Sequence, residues 1–189
     1  MEHDDPAAAG PDSPPMTDAQ RRYLDDWLED MEPALTRWRG DFLPEDFPFD
    51  FSAESLDALE TVALERFPDD AAVLDARNAE FLDGAVRYLG QTALRGARAR
   101  WAYEDLSAMN ANIRERVLCV RADIPEWSVL APLFEFGLLA GVRQAGALRE
   151  AVRKLSDGVA FSDTHGRQVA DLEDLRARMA EIRAELSDL

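Results

Sequence analysis

From about Asp18 to Trp38, apolar side chains recur at intervals of three and four: Leu24, Trp27, Leu28, Met31, Leu35 and Trp38 fall on one side, with Asp25, Asp26, Glu29 and Glu32 on the other. That spacing is one face of an α-helix, and Gly40 and Pro44 stop it. The segment DFLPEDFPFDF, residues 41–51, has no such period, yet its phenylalanines need cover, so it is expected to lie on the core. A second helix follows, with Ser52 as its cap, Glu54 in the electropositive first turn and Phe51 and Leu56 at the two positions of a hydrophobic staple. Leu56, Leu59, Val62, Ala63 and Phe67 make its inner face. After Pro68 the pattern predicts a third helix from roughly Asp69 to Leu94, with Leu74, Phe81, Ala85, Tyr88 and Leu89 along one side. Gly84 and Gly90 fall inside it, each at a cost of about 1 kcal/mol against alanine. Such glycines point to a close contact or to a bend.

The pattern then changes period. Trp101 to Tyr103, and Arg116 to Arg121 within RERVLCVR, have the β-branched and apolar content of strands. SAMNANI between them reads as a turn or irregular loop, and Ile124 to Trp127 as a proline-containing turn. Two strands rarely stand without helix cover. Pro132 opens a helix whose Leu133, Phe134, Phe136, Leu138 and Leu139 are apolar on so many sides that it is expected to be the most buried helix, ending near Gly141. Ala145 to Leu155 makes a shorter amphipathic helix, and SDGVAFSDTHG, residues 156–166, reads as a loop. In the last segment Leu172, Leu175, Met179, Ile182 and Leu186 form a coiled-coil-like stripe of two to three heptads. It needs a partner surface, on its own domain or on a second chain.

The fold class expected from these elements is α+β, mostly helical, with a small antiparallel sheet of two or more strands covered by helices. The expected organisation is a disordered acidic, Pro-rich tail over 1–17, a single globular domain over 18–158, a loop over 159–166 and a C-terminal amphipathic helix over 167–189. The 47% apolar content of the 189 residues agrees with a folded chain.

Charge narrows the choice of partner. The chain carries 38 Asp and Glu against 21 Lys and Arg, a formal charge of −17. Residues 1–75 hold 21 acidic and 5 basic side chains, a net of −16, so nearly all of the excess lies in the first two fifths. A field of that sign repels phosphate backbones and anionic lipid, so neither nucleic acid nor membrane is expected as a partner. A basic protein partner fits better. No run of 18 apolar residues occurs, and the first residues, MEHDDPAAAGPDSPP, have no apolar signal core. With a single cysteine, Cys119, the chain suits a reducing compartment, and a cytoplasmic location is expected. Lys154 is the only lysine.

Catalytic signatures are few. The histidines are His3, in the expected tail, and His165; there is no HExxH, no CxxC pair and no Asp-rich calcium loop, so no metal and no cofactor is expected. Cys119, between Leu118 and Val120 in a predicted strand, reads as a small buried hydrophobe. His165 lies beside Asp163 and Thr164, but adjacency in sequence does not make a triad. No glycine-rich phosphate loop follows a strand. The candidates for a binding surface are Trp101, Tyr103, Trp127 and His165, the aromatics because they supply large contact area at low entropic cost. Arg95, Arg98 and Arg100, where the long helix ends, suit the helix dipole or pairing with the acidic N-terminal half.

Within FLDGAVRYLGQTALRGARARWAYED, residues 81–105, Tyr88, Leu89 and Gly90 followed by Trp101 resemble a pattern in uncharacterised actinobacterial and toxin-immunity-like helical and sheet domains. There a helix ending in Tyr-Leu-Gly-Glu leads to a Gly-x-Trp-like strand; here Gln91 replaces the glutamate and GARARW the short glycine turn. The resemblance implies a compact helical and sheet domain that binds another protein, and it transfers no catalytic residue. The leading expectation is therefore a protein-binding domain. A hydrolase-like enzyme using carboxylates or His165 is one alternative, and a homodimer formed through the C-terminal helix is the other.

Overall fold

The structure, a computed structural model, describes residues 15–107, 116–124 and 128–166. The tail over 1–14, Trp127, most of SAMNANI and the Leu172 to Leu186 stripe lie outside these residues.

The first apolar stripe forms two helices rather than one, α1 (Asp18–Glu29) and α2 (Met31–Phe42), joined at Asp30. Pro33 accounts for the joint: it has no N–H to give the Glu29 carbonyl, and its ring crowds that group. The stripe itself continues across the joint, with Leu24, Trp27, Met31, Leu35 and Trp38 all buried. α3 (Ala53–Arg66) starts as its sequence indicates, Ser52 Oγ accepting from the Ser55 N–H at 3.1 Å. Phe47 of the connecting segment is buried, and Phe49 and Phe51 pack against the core. Phe51 adopts φ 60°, the left-handed region, where a side chain is strained. The Tyr88 hydroxyl holds it there, accepting from the Phe51 N–H at 2.9 Å while the two rings stack 4.6 Å apart.

The long third helix of the sequence reading is broken into α4 (Asp70–Val73), a 3-10 turn (Ala76–Asn78) and α5 (Ala79–Gly96). Side chains compete with the helix here: Asp69 caps the Ala72 N–H, Asp75 caps the Arg77 N–H, and Asn78 Nδ2 donates to the Ala72 carbonyl. Leu74, expected on the inner face, is consequently 74% exposed. α5 is the central element. Phe81, Ala85, Tyr88, Leu89 and Ala93 on it have no accessible surface, and the buried Arg87 binds it to α1, its Nη1 donating to the Trp27 carbonyl at 2.7 Å and its guanidinium lying 4.1 Å from the Trp27 ring centre. Asp83 accepts from both Arg87 Nε and Trp27 Nε1.

Gly84 and Gly90 are the close-contact glycines of α5, and what approaches them is side chain rather than backbone. A β-carbon at Gly84 would lie 2.0 Å from Trp38 Cγ, and one at Gly90 would lie 2.1 Å from Trp101 Cη2. Each glycine is thus a seat for an indole ring. Neither indole N–H, Trp38 nor Trp101, has a hydrogen-bond partner, so shape alone holds both rings.

The sheet is antiparallel and three-stranded, ordered β1 (Ala99–Asp105), β2 (Arg116–Ala122), β3 (Val129–Leu130). Trp101 is paired with Val120 and Tyr103 with Leu118; α5 and α1 pack against the sheet, with Trp101 and Val120 in the main core. Ala102, Leu106, Cys119 and Ala131 form a separate buried cluster. Cys119 is fully buried, and burial together with the nearby Glu104 carboxylate pushes its thiol up to about 12. It is an inert small hydrophobe, as its strand position implies.

α6 (Pro132–Val142) is followed by α7, helical over residues 147–166. α7 overturns the loop expected over 159–166. Leu148, Ala151, Leu155, Val159 and Ser162 form a continuous buried stripe at helical spacing, and the polar residues that suggested a loop fold back onto helix carbonyls: Ser156 Oγ donates to the Val152 carbonyl, Thr164 Oγ1 to that of Ala160. α7 begins on a carboxylate from far along the chain. Glu60 of α3, 4% exposed, accepts from the Gly146 and Leu148 N–H groups, each at 2.7 Å. Among the described residues no helix is long and apolar enough to cross a membrane.

Candidate functional site

The aromatic candidates do not form one surface. Trp101 is a core residue, 8% exposed and edge-on to Trp27 with ring centres 4.8 Å apart. Tyr103 is half-buried beside Tyr23 of α1, ring centres 5.3 Å apart. Burial raises the Tyr23 phenol, and Tyr103 and Asp83 add to it. Trp127 lies outside the described residues. His165 is exposed on α7, its ring parallel to that of Phe161 at 6.0 Å. Its neighbour Asp163 is paired with Arg98 at 2.8 Å and is not turned to the imidazole as a triad carboxylate would be. Among the described residues no group of three or more His, Cys, Asp or Glu is placed to hold a metal ion.

The arginines at the end of α5 divide. Arg98 pairs with Asp163 and Arg100 with Asp123, partners that lie outside the acidic N-terminal half. Arg95 instead donates to the Asp50 carbonyl at 3.1 Å and lies over the Phe51 ring.

A surface that sequence reading passed over is formed by α6. Its inner residues Phe136, Leu139 and Ala140 are buried, but Phe134, Leu138 and Val142 are 37%, 56% and 60% exposed. Spaced four apart, they form one apolar stripe along the outer side. The expectation that α6 would be the most buried helix is thus corrected: α5 is. A helix apolar all round is expected to be covered all round, and the outer face of α6 is not.

The stripe borders a cavity. Leu138 also lines a recess of about 240 Å³ between α6, α7 and the β3 region, with Ser128, Glu135, Gln144, Glu150 and Lys154 among its walls. Burial raises the Glu135 carboxyl above the usual carboxylate range, with Lys154 partly opposing the shift. Glu150, held by Arg153 at 2.7 Å, is lowered. Lys154 Nζ stands 4.0 Å from Glu150. Glu135 and Glu150 against Lys154 leave the recess an excess of carboxylate. On the far side of α6, Asp70 of α4 comes close enough that a β-carbon at Gly141 would touch it at 3.7 Å. The site is therefore an apolar helix face edged with acid, beside a polar recess. The signal was present in PLFEFGLLAGV: a helix too apolar for one buried face.

Comparison of the chain with protein-family models, with curated proteins and with solved structures finds no match.

Proposed function

We propose that this is a protein-binding domain whose α6 face receives an amphipathic, basic segment of a partner. The observation that carries the reading is the exposed stripe Phe134, Leu138 and Val142 continuous at Leu138 with an acid-lined recess. Exposed apolar stripes rimmed by polar groups mark interaction sites, and helix-in-groove recognition reads anchors at this spacing. Apolar anchors of the partner lie along the stripe, and a lysine or arginine head enters the recess toward Glu135 and Glu150. The chain's formal charge of −17 steers such a partner in. A reducing, cytoplasmic setting agrees with the single buried cysteine. The resemblance of residues 81–105 to toxin-immunity-like domains points the same way, and the pairing of Gly90 with the Trp101 ring gives that pattern a packing reason.

A photo-crosslinking amino acid at position 138, expressed in the native host, tests the proposal, with the same label at exposed Arg21 as the background control. The expected result is one discrete adduct from position 138, lost when Phe134 and Val142 are both replaced by glutamate. No adduct, or an adduct of the chain with itself alone, overturns the reading; the latter assigns the face to a second copy.

Acidity gives a further expected result. The Glu135 carboxyl is raised in the fold, so its proton is favoured there: stability from this group is full at low pH and is lost as pH rises through the folded-state value. Binding of a cationic head needs the ionised form and runs in the opposite direction, tightening as pH rises. Glu135→Gln is expected to abolish both trends, read by urea unfolding and by partner affinity across pH 4–8, the range in which a raised carboxyl titrates. Unchanged trends would remove Glu135 from the site.

A further inference from the structure

The end of α5, the start of α3 and the middle of α7 enclose a second cavity, of about 440 Å³, remote from the α6 face and independent of the function proposed above. Its floor is apolar: Phe51, Leu56 and Val152. Its rim is formed by Arg95, Arg149 and Arg153. Such a rim is unexpected in a chain of this net charge.

The three guanidinium groups are not equivalent. Arg149 is neutralised by Asp57, and Arg153 by Glu150 and Asp157. No described carboxylate lies within ion-pair distance of Arg95. One of its nitrogens is used on the Asp50 carbonyl, and its guanidinium centre lies 4.0 Å from the centre of the Phe51 ring; Nε and Nη2 donate to no described group. The ring beneath it is fixed by the strained Phe51 backbone and the stack on Tyr88. A guanidinium held on an aromatic face keeps its remaining N–H groups available for a planar acceptor. The cavity thus presents one uncompensated positive charge at the edge of an apolar pocket, which is the complement of a molecule with one negative charge and an apolar body.

We infer that the Phe51–Arg95 cavity is a binding site for a small amphiphilic carboxylate, its head group on Arg95 and its hydrocarbon body over Phe51, Leu56 and Val152. The single uncompensated charge selects a monoanionic carboxylate over a dianionic phosphate of the same chain length.

Titration calorimetry of the full chain with octanoate, octyl phosphate and octanol in low-salt buffer tests this. Octanoate is expected to bind more tightly than octyl phosphate, with octanol weakest, and added salt is expected to weaken octanoate alone among the acid–alcohol pair. Arg95→Gln is expected to reduce octanoate affinity at least about tenfold, the effect of losing a charge-assisted contact, and Arg95→Lys to restore part of it. Val152→Asp places a negative charge in the pocket without touching Arg95 and is expected to abolish binding. Circular dichroism melts of each variant separate lost binding from lost folding. The inference is overturned if octanoate does not bind at millimolar concentration, if octanol binds as well, or if a folded Arg95→Gln protein binds unchanged. Stronger binding of octyl phosphate overturns the carboxylate assignment. Glutamate at Phe134 and Val142 is expected to leave octanoate binding intact, so this test and that of the α6 face succeed or fail separately.

Discussion

Gly84→Ala is expected to destabilise the fold by about 2 to 3 kcal/mol, although the same change in an open helix stabilises it. Alanine is the better helix former by about 1 kcal/mol, so at an unobstructed site the substitution gains that amount. At Gly84 the new methyl would lie 2.0 Å from Trp38 Cγ and 2.2 Å from its Cδ1. The indole is 2% exposed and enclosed by Phe49, Phe81 and Tyr88, so it has no free volume to retreat into. Overpacking of this kind costs about 1 to 3 kcal/mol and occasionally more; with ring atoms this close, the upper end outweighs the propensity gain. Gly90→Ala is expected to behave alike, against Trp101. Gly40, on the exposed side of α2 with nothing within 4 Å, is the internal control: Gly40→Ala is expected to raise stability by about 0.5 to 1 kcal/mol. Urea unfolding followed by tryptophan fluorescence reads all three. Equal signs at Gly40 and Gly84 would show that the indole seat is not what fixes glycine in α5. Trp38→Leu in the Gly84→Ala background is expected to recover part of the loss, since it removes the obstructing ring, and the coupling in that cycle measures the contact directly.

Glu60→Ala is the second large effect, expected at about 3 kcal/mol. The carboxylate is buried and serves two N–H groups at the start of α7. Truncation leaves those donors unpaired in a site that water does not reach, and each costs about 1 to 3 kcal/mol when orphaned. Glu60→Gln keeps the shape and one good acceptor, so roughly half the loss is expected. Hydrogen exchange locates the effect: the Leu148 amide is expected to lose protection in both variants, ahead of α5. A loss below about 1 kcal/mol for Glu60→Ala would mean that α7 starts equally well without its remote cap.

Neither result was legible as such in the sequence, for different reasons. The glycines were visible as anomalies, because a helix former was missing where periodicity demanded one, but their partners Trp38 and Trp101 lie in other elements and no local rule connects them. Glu60 gave no signal: it sits in α3 among residues that look like a solvated face, and its partners lie 86 and 88 positions away. The helix faces around Leu24 to Trp38 and Leu56 to Phe67, the strands around Trp101 and Cys119 and the cap at Ser52 were all legible, since each depends on spacing or on neighbours within a few residues. Pro33 was legible too; the uninterrupted stripe concealed it, because a kink at Asp30 leaves the buried side buried. Ser156, Ser162 and Thr164 misled in the other direction, being polar residues that read as loop yet satisfy their hydroxyls on α7 itself. Of the site, the apolar excess of α6 was read correctly as demanding cover, and the cover was wrongly assigned to the domain's own core. Arg95 was grouped with Arg98 and Arg100 by sequence, whereas only the fold separates a cation with an acidic partner from one without.

Lys154 stands on the wall of the recess beside α6. Because every other basic side chain in the chain is arginine, acylating reagents meet a single ε-amine, set where the partner's cationic head is proposed to enter. A fluorophore attached there occupies one defined place on the molecule, and its emission reports directly on whether the neighbouring face is filled.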